Sequence, residues 1–396
     1  MSNFNFKRKS FHSGNRLVTS DALDEQLATF VGLSTKGLQS LETQRANALR
    51  PFHAGLADRA NAACDILVLG DSITEGAQAS ARSKRWVNRL LDNLRTRYPV
   101  PGVTGGDGYV PAYWAGTGSG ITLPDPATVT GTQVQNPTFG LGKRALELTS
   151  GKSVQWTVTG TSVDIIFARG TSSGVMSVSI DGGAATTYAT LHTPTDDQGV
   201  QHISLGSAGS HTVTVSWSSG GTVYLEGVMV YNGDEATGIR LWESGHWGWK
   251  SGDWSNAGSN KLLYVGQRAG LINPKLVIIP LGVNDLANNI DPAVMRTNLE
   301  AVIAQINTGV TNDPSIALVG VYQRSGSYAY PWSAYQAQYE AMEAANPQIA
   351  YFDFSRRLPT YSTNSELALV NADGVHPTDK GHAYFADALA GFLSPR

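Results

Sequence analysis

A single cysteine, Cys64, in a chain of 396 residues excludes an internal disulfide framework and any zinc site built on several thiolates. Charge is scarce as well. Asp, Glu, Lys and Arg make up 15% of the residues, with 29 basic against 32 acidic side chains and a formal net charge of −3. With no basic excess to neutralise a phosphate backbone, nucleic acid is excluded as the main partner. No apolar run approaches the ~20 residues that a membrane-spanning helix needs. The eight histidines are scattered without metal-ligand spacing, so a metal is not expected. Gly116-Thr117-Gly118-Ser119-Gly120 lacks the strand and helix context of a dinucleotide loop, and no P-loop occurs. The opening MSNFNFKRKSFHSGNR is basic but has no apolar core, so a classical secretion signal is not expected.

What is plentiful is glycine, 43 residues, beside a 41% hydrophobic content that suffices for a large core. That mixture suits a chain rich in β-structure and turns, long enough for two or three domains. Residues 20–50 read as a helix, with Asp21 as cap and Leu23, Leu27, Phe30 and Val31 near helical spacing. Residues 1–60 are therefore expected to form an arm, an oligomerisation element or an attachment piece. The texture changes at Cys64. Ile66-Leu67-Val68-Leu69, ending at Gly70, has the continuous apolar character of a buried parallel strand. Trp86, Leu90, Leu91 and Leu94 mark an amphipathic helix closed by Pro99 and Pro101. The pattern returns with strands at residues 276–281 and 316–321. Helices follow, carrying Met295, Leu299, Val302, Ile303 and Ile306, and finally Phe385, Leu389 and Phe392. Alternating strands and helices predict a mostly parallel sheet covered on both faces.

Residues 102–234 have a different grammar. Val154-Gln155-Trp156-Thr157-Val158, Val163-Asp164-Ile165-Ile166-Phe167 and Val213-Thr214-Val215-Ser216-Trp217 alternate, and Asp181-Gly182-Gly183 and Ser219-Gly220-Gly221 are turns. An antiparallel sandwich or jelly roll is expected at 101–235, inserted into an α/β domain made of 61–100 and 236–396.

Four short blocks in the α/β portions carry chemistry. Gly70-Asp71-Ser72-Ile73-Thr74-Glu75-Gly76 places a serine just after a buried strand, where it can face a substrate. Position 74 is Thr, so this is not a G-x-S-x-G elbow. An N-cap serine is the competing reading. Asp373-Gly374-Val375-His376-Pro377 lets a carboxylate orient one ring nitrogen across a glycine turn, freeing the other to take a proton from a serine. Leu281-Gly282-Val283-Asn284-Asp285 puts an amide donor at a strand end, where a single oxyanion donor is worth about 3 kcal/mol in acyl transfer. An ordinary strand-ending turn would use the same residues. Ser244-Gly245-His246-Trp247-Gly248-Trp249-Lys250-Ser251 offers a further backbone N–H at Gly248.

These blocks, in this order, resemble the SGNH hydrolases, also called GDSL esterases and lipases. The resemblance covers residues 61–100 and 236–396, with Ile73 where the common motif has Leu and with the glycine block the loosest match. It implies a three-layer α/β/α, flavodoxin-like domain. It also implies Ser72 as nucleophile, His376 as base, Asp373 as its partner, and an oxyanion hole of Ser72, Gly248 and Asn284. The β insertion just before the glycine block is similar to that of bacterial peptidoglycan and exopolysaccharide O-acetylesterases, whose inserted module resembles a carbohydrate-binding domain.

The expected activity is hydrolysis of small acyl esters, acetyl foremost, on a polysaccharide or cell-wall glycan, with no cofactor. Trp247, Trp249, Tyr328, Tyr330 and Trp332 are candidate platforms for sugar rings, core packing being the alternative. The arm in front of the enzyme resembles those of bacteriophage tail proteins. The matching expectations are homo-oligomer or virion assembly through the arm, and a virion or cytoplasmic location. Two rivals stand beside this reading: a general carboxylesterase or lipase, and a glycan-binding adhesin with a vestigial esterase.

Overall fold

The computed structural model describes residues 41–115, 127–132, 134–192, 197–256, 261–358 and 365–395. Met1–Asn47 is a unit of its own, helical where it is described at 41–47, and Ala48–Arg396 is a second unit. The helix expected over residues 20–50 lies mostly outside the described residues.

In the second unit the apolar runs become a five-stranded parallel sheet. Its strands are β1 (Cys64–Val68), β11 (Ile239–Glu243), β12 (Leu276–Ile279), β13 (Ser315–Gly320) and β14 (Ile349–Asp353). They lie in the order β11-β1-β12-β13-β14, every pair parallel. Every residue of β1, β12 and β13 is buried, because helices cover both faces. Alternation assigns the two faces. Ile66, Val68, Ile278 and Val319 share one core with α1 (Arg50–Asp58), α3 (Trp86–Arg97) and α9 (Asp379–Leu393). Leu67, Leu69, Ile279 and Leu318 share another with α5 (Lys261–Ile272), α7 (Pro292–Gly309) and α8 (Trp332–Ala345). The fold is the three-layer α/β/α arrangement. Strand order reverses at β1, which is paired with β11 on one side and β12 on the other, and ligands bind open α/β sheets at the carboxyl ends beside such a point.

Between β1 and β11 the chain builds a second, antiparallel sheet of nine strands. They are β2 (Gly108–Pro111), β3 (Ala127–Thr130), β4 (Val134–Asn136), β5 (Ala145–Leu148), β6 (Ser153–Arg169), β7 (Gly174–Ile180), β8 (Thr186–Ala189), β9 (Asp197–Gly220) and β10 (Val223–Tyr231). The sequence suggests a sandwich or jelly roll. The described residues form one curled antiparallel sheet around a core of its own. β6 pairs with β9 along its length, but with β3 over Ser153–Trp156 and with β10 over Ser162–Ala168. The change falls at an irregularity between Gly160 and Ser162, where a side chain on Gly160 would collide with the Tyr231 carbonyl. Across it the inward set moves from Val154, Trp156 and Val158 to Val163, Ile165 and Phe167. The opposite face of this sheet is not solvated throughout. Tyr109, Ile166, Met229 and Tyr231 join Trp242 and Leu67 in the second α/β core. The two sheets thus share one hydrophobic seam.

Candidate active site

Three loops at the carboxyl ends of β1, β11 and β12 converge with the segment before α9. After β1 the chain turns through Gly70 into α2 (Ser72–Glu75). A Cβ at Gly70 would lie 2.0 Å from Thr74 Oγ1, so the tight turn requires glycine there. Asp71 caps α2 by accepting from the Ile73 N–H at 2.9 Å, and Gly76 closes it in the left-handed region at φ 93°. Ser72 is thereby fixed as the first residue of α2, whose N–H has no acceptor within the helix.

Ser72 Oγ lies 2.9 Å from His376 Nε2, and His376 Nδ1 lies 2.7 Å from Asp373 Oδ2. Ser72 is 4% exposed and His376 8%. The other carboxylate oxygen of Asp373 accepts from the N–H groups of Val375 (2.9 Å) and His376 (3.0 Å). Burial pushes the Asp373 carboxyl up, but these two N–H groups and the imidazole outweigh it and hold the group below the ordinary carboxylate range. The turn is made possible by Gly374 at φ 73°, and Asn371 Nδ2 pins it from outside by donating to the carbonyls of His376 and Pro377. An anchored carboxylate facing Nδ1 puts that nitrogen's proton in place and leaves Nε2 as an acceptor towards the serine. His382, by contrast, is wholly buried and pushed down to about 4 by desolvation, so it stays neutral and structural.

On the other side of Ser72, α6 (Val283–Ala287) begins after Gly282, at φ 113°. Asn284 sits there, and its Nδ2 donates to the Trp249 carbonyl at 3.0 Å. An amide nitrogen carries two hydrogens, so one such bond leaves the second for another acceptor. Asp285 is held by the N–H and hydroxyl of Ser251, which opens α4 (Ser251–Ser255). Burial pushes the Asp285 carboxyl up. Asp71 is also fully buried, and desolvation, with the Asp285 charge adding to it, pushes its carboxyl up to about 7.

The loop 244–250 spans the two sides. His246 N–H and Trp254 Nε1 both donate to the Gly70 carbonyl, at 3.1 and 3.2 Å. Trp247 is 41% exposed, and its ring stacks on the His376 imidazole with centroids 5.1 Å apart. Gly248 follows at φ 72°, with open space where a Cβ would be. It therefore stands between the residue that covers His376 and the residue whose carbonyl holds Asn284.

Of the residues singled out from sequence, Ser72, Asp373, His376 and Trp247 are linked by direct contacts, and Asn284 is bonded to the same loop as Trp247 at the Trp249 carbonyl. The other aromatics are placed differently. Trp249 is half-buried, stacked on His246 at 3.8 Å and edge-on to Trp254 at 5.2 Å. Tyr328 and Tyr330 pack against the core beneath α7 and α8. Trp332 is 5% exposed and stacked on Tyr335, so packing and not sugar stacking accounts for it. Sequence reasoning missed the charged residues that brace the loops. Glu75, Arg85, Arg144 and Glu243 are buried together, with Arg144 bonded to both the carbonyl and the carboxylate of Glu243. No local motif marks them, because they lie far apart in the chain.

Residues 240–384 match the model of the GDSL-like Lipase/Acylhydrolase family. Ser72 lies outside that span because the antiparallel sheet separates it. No curated protein matches the chain. Among solved structures, a peptidoglycan O-acetylesterase is similar over 88% of this chain and 95% of its own, with TM-score 0.65 and 17% identity. A family two carbohydrate esterase from Cellvibrio japonicus is similar over 72% and 96%, with TM-score 0.29 and 13% identity. A family two carbohydrate esterase from Clostridium thermocellum, in complex with cellohexaose, is similar over 65% and 97%, with TM-score 0.31 and 12% identity.

Proposed function

We propose that the chain is a carboxylic-ester hydrolase of the GDSL-like lipase/acylhydrolase kind that residues 240–384 match, with Ser72, His376 and Asp373 as its catalytic triad and an acylated glycan as its substrate. The observation that carries the first part is the unbroken chain of hydrogen bonds from Ser72 Oγ through the imidazole to Asp373. In the forward step His376 Nε2 takes the hydroxyl proton as Ser72 Oγ attacks the ester carbonyl. The negative charge that develops on the carbonyl oxygen is met by the N–H groups of Ser72 and Gly248 and by the Asn284 amide. Collapse of the tetrahedral species breaks the C–O bond, and His376 returns its proton to the leaving alcohol. A water, deprotonated by the same nitrogen, then hydrolyses the acyl-enzyme.

The glycan part rests on two supports. The peptidoglycan O-acetylesterase matches the chain over both sheets, not over the parallel sheet alone. In addition, the solvent-exposed Trp247 ring lies beside the base, where an apolar sugar face can stack. Acetyl is the favoured acyl group. On this reading the antiparallel sheet is a module inserted into a discontinuous hydrolase domain, and it forms a second wall for a polymer.

The test is acyl release by wild type and Ser72→Ala across p-nitrophenyl esters of increasing chain length and on O-acetylated cell-wall polysaccharide. We expect Ser72-dependent acetate release from the polysaccharide, and ester turnover that falls steeply with acyl length. Turnover that rises with chain length would assign the protein to lipid esters. Glycan binding without Ser72-dependent turnover would make it a binding protein.

A further inference from the structure

The segment between β4 and β5 leaves the antiparallel sheet and enters the floor of the site. Gly142 is so close to the loop after β11 that a Cβ there would lie 2.7 Å from the Ser244 carbonyl oxygen. The two residues that follow are cations with almost no exposure, Lys143 at 1% and Arg144 at 0%. Arg144 Nη2 donates to the Glu243 carbonyl at 2.9 Å and to its Oε2 at 3.2 Å. Its Nη1 lies 3.8 Å from Glu75 Oε1, on the last residue of α2. Arg85 joins from the far side, with Nη1 3.3 Å from the Glu75 carbonyl oxygen and 3.5 Å from Glu243 Oε2. Glu243 in turn accepts from the Gly245 N–H through Oε1 at 2.5 Å. Two buried cations thus face two buried carboxylates, and the four link the turn that carries Ser72 to the loop that carries Gly248. Lys143 serves the other half of the loop. Its ammonium lies 5.3 Å above the Trp249 ring and 5.7 Å from that of Trp254, and it donates to the carbonyls of Asp253 and Trp254. Trp249 is the residue whose carbonyl holds Asn284.

We propose that Arg144, with Lys143 beside it, is a positioning residue through which the antiparallel sheet sets the geometry of the ester-hydrolysing centre. It touches neither Ser72 nor His376. It acts by fixing the distance between the Ser72 turn and the Gly248 loop, from which the oxyanion donors come. Burying four charges is costly unless they are paired, and a well-packed apolar seam would have held the sheets together as well. What the guanidinium adds is direction: its Nη2 donates to the carbonyl and the carboxylate of Glu243 while its Nη1 stands 3.8 Å from the Glu75 carboxylate, a fixed planar spacing that a lysine ammonium does not impose. The inference rests on Ser72 being the nucleophile.

The experiment uses the full chain with p-nitrophenyl acetate as the probe, in wild type, Ser72→Ala, Arg144→Lys, Arg144→Met and Arg169→Met. Arg169 belongs to an ion pair with Asp197 on the same sheet and serves as control. Displacing an oxyanion donor by about 1 Å costs on the order of 100-fold in rate. We therefore expect Arg144→Met to lower kcat about 10- to 100-fold with KM within threefold, and Arg144→Lys to recover part of the loss. Arg169→Met is expected to match wild type. Arg144→Met with wild-type kcat, or a loss confined to KM, overturns the inference. If both Arg144 variants lose their cooperative unfolding transition, the network is structural and the inference is again overturned. Wild-type turnover that survives Ser72→Ala would refute the triad, and the positioning role would fall with it.

Discussion

Replacing Asp373 by asparagine separates the electrostatic part of the site from its geometry. In the native protein Oδ1 accepts two backbone N–H bonds and Oδ2 faces His376 Nδ1 at 2.7 Å. An asparagine keeps the first oxygen and its two bonds, so the turn at Gly374 and the ring position are retained. Its amide nitrogen, however, is a donor pointed at Nδ1. The imidazole must then present a lone pair to it and carry its proton on Nε2, which points that proton at Ser72 Oγ. The base has become a donor to the atom it should deprotonate. Loss of the correct tautomer in this arrangement costs about 10⁴-fold in kcat, or about 5 kcal/mol of transition-state stabilisation. Stability should change by only about 1 kcal/mol, the net worth of one hydrogen bond. The carboxyl also carries a pH signature. Its native pKa lies below the ordinary value of 3.8, so its contribution to stability is present above about pH 4 and is lost as pH falls through the native value. The melting advantage of wild type over Asp373→Asn should therefore shrink in acid. The assay is kcat on p-nitrophenyl acetate for wild type, Asp373→Asn and Asp373→Ala, with thermal melts of each. An asparagine variant within tenfold of wild type would show that the imidazole does not need this carboxylate, and the triad assignment would fail.

Two other perturbations follow from buried carboxylates. Asp71 is pushed up to about 7 by burial, so between about pH 4 and 7 the native state holds a proton that the unfolded chain has released. Stability from this group therefore falls as pH rises. Asp71→Asn keeps the cap to Ile73 while removing the titration, so the difference in melting temperature, variant minus wild type, should grow from pH 4 to 8; a constant difference contradicts the assignment. Arg268 and Glu226 form a fully buried pair, with Gln198 Nε2 on the second carboxylate oxygen at 2.6 Å. Arg268→Met strands that carboxylate and should cost about 3–5 kcal/mol in urea unfolding, whereas Arg268→Met with Glu226→Leu should recover most of it. A single-variant cost under about 1 kcal/mol would show that Glu226 is neutralised without its arginine.

The parts of the fold legible in the sequence were those whose signal is local. Ile66-Leu67-Val68-Leu69 could be read as a doubly covered strand because every position is apolar, and the helix of Met295, Leu299 and Val302 because its period is helical. β11 and β14 were missed. Ile239-Arg240-Leu241-Trp242-Glu243 ends in an ion network and carries a salt bridge to Asp65, so its polar positions mimic a surface strand. The curl of the antiparallel sheet was also out of reach, since the irregularity at Gly160 matters only through what β6 pairs with on either side. In the site, Ser72, Asn284, Asp373 and His376 could be picked out because each sits in a short block with a turn of its own. Arg144 could not be, because a single arginine beside Gly142-Lys143 looks solvated until Glu243 is brought to it. Trp332 differs the other way: a tryptophan beside a polar loop looks exposed, but it opens α8, stacks on Tyr335 one turn along the same helix and is buried.

The pairing of β1 with β11 bears on how this chain reaches its native state. Cys64 lies opposite Ile239, and Arg240 grips Asp65 across a sequence separation of 175 residues. Contacts so distant along the chain are slow to form, because the closure entropy must be met before they contribute. Here the excursion is tied at its neck. Gly108 pairs with Val230 and Pro111 with Gly227, so the strand that enters the antiparallel sheet lies against the one that leaves it. With that sheet formed, β1 and β11 are separated by residues 69–107 and 232–238 and not by the full contour. The pairing of β2 with β10 therefore lowers the closure entropy that the parallel sheet bearing Ser72 must meet.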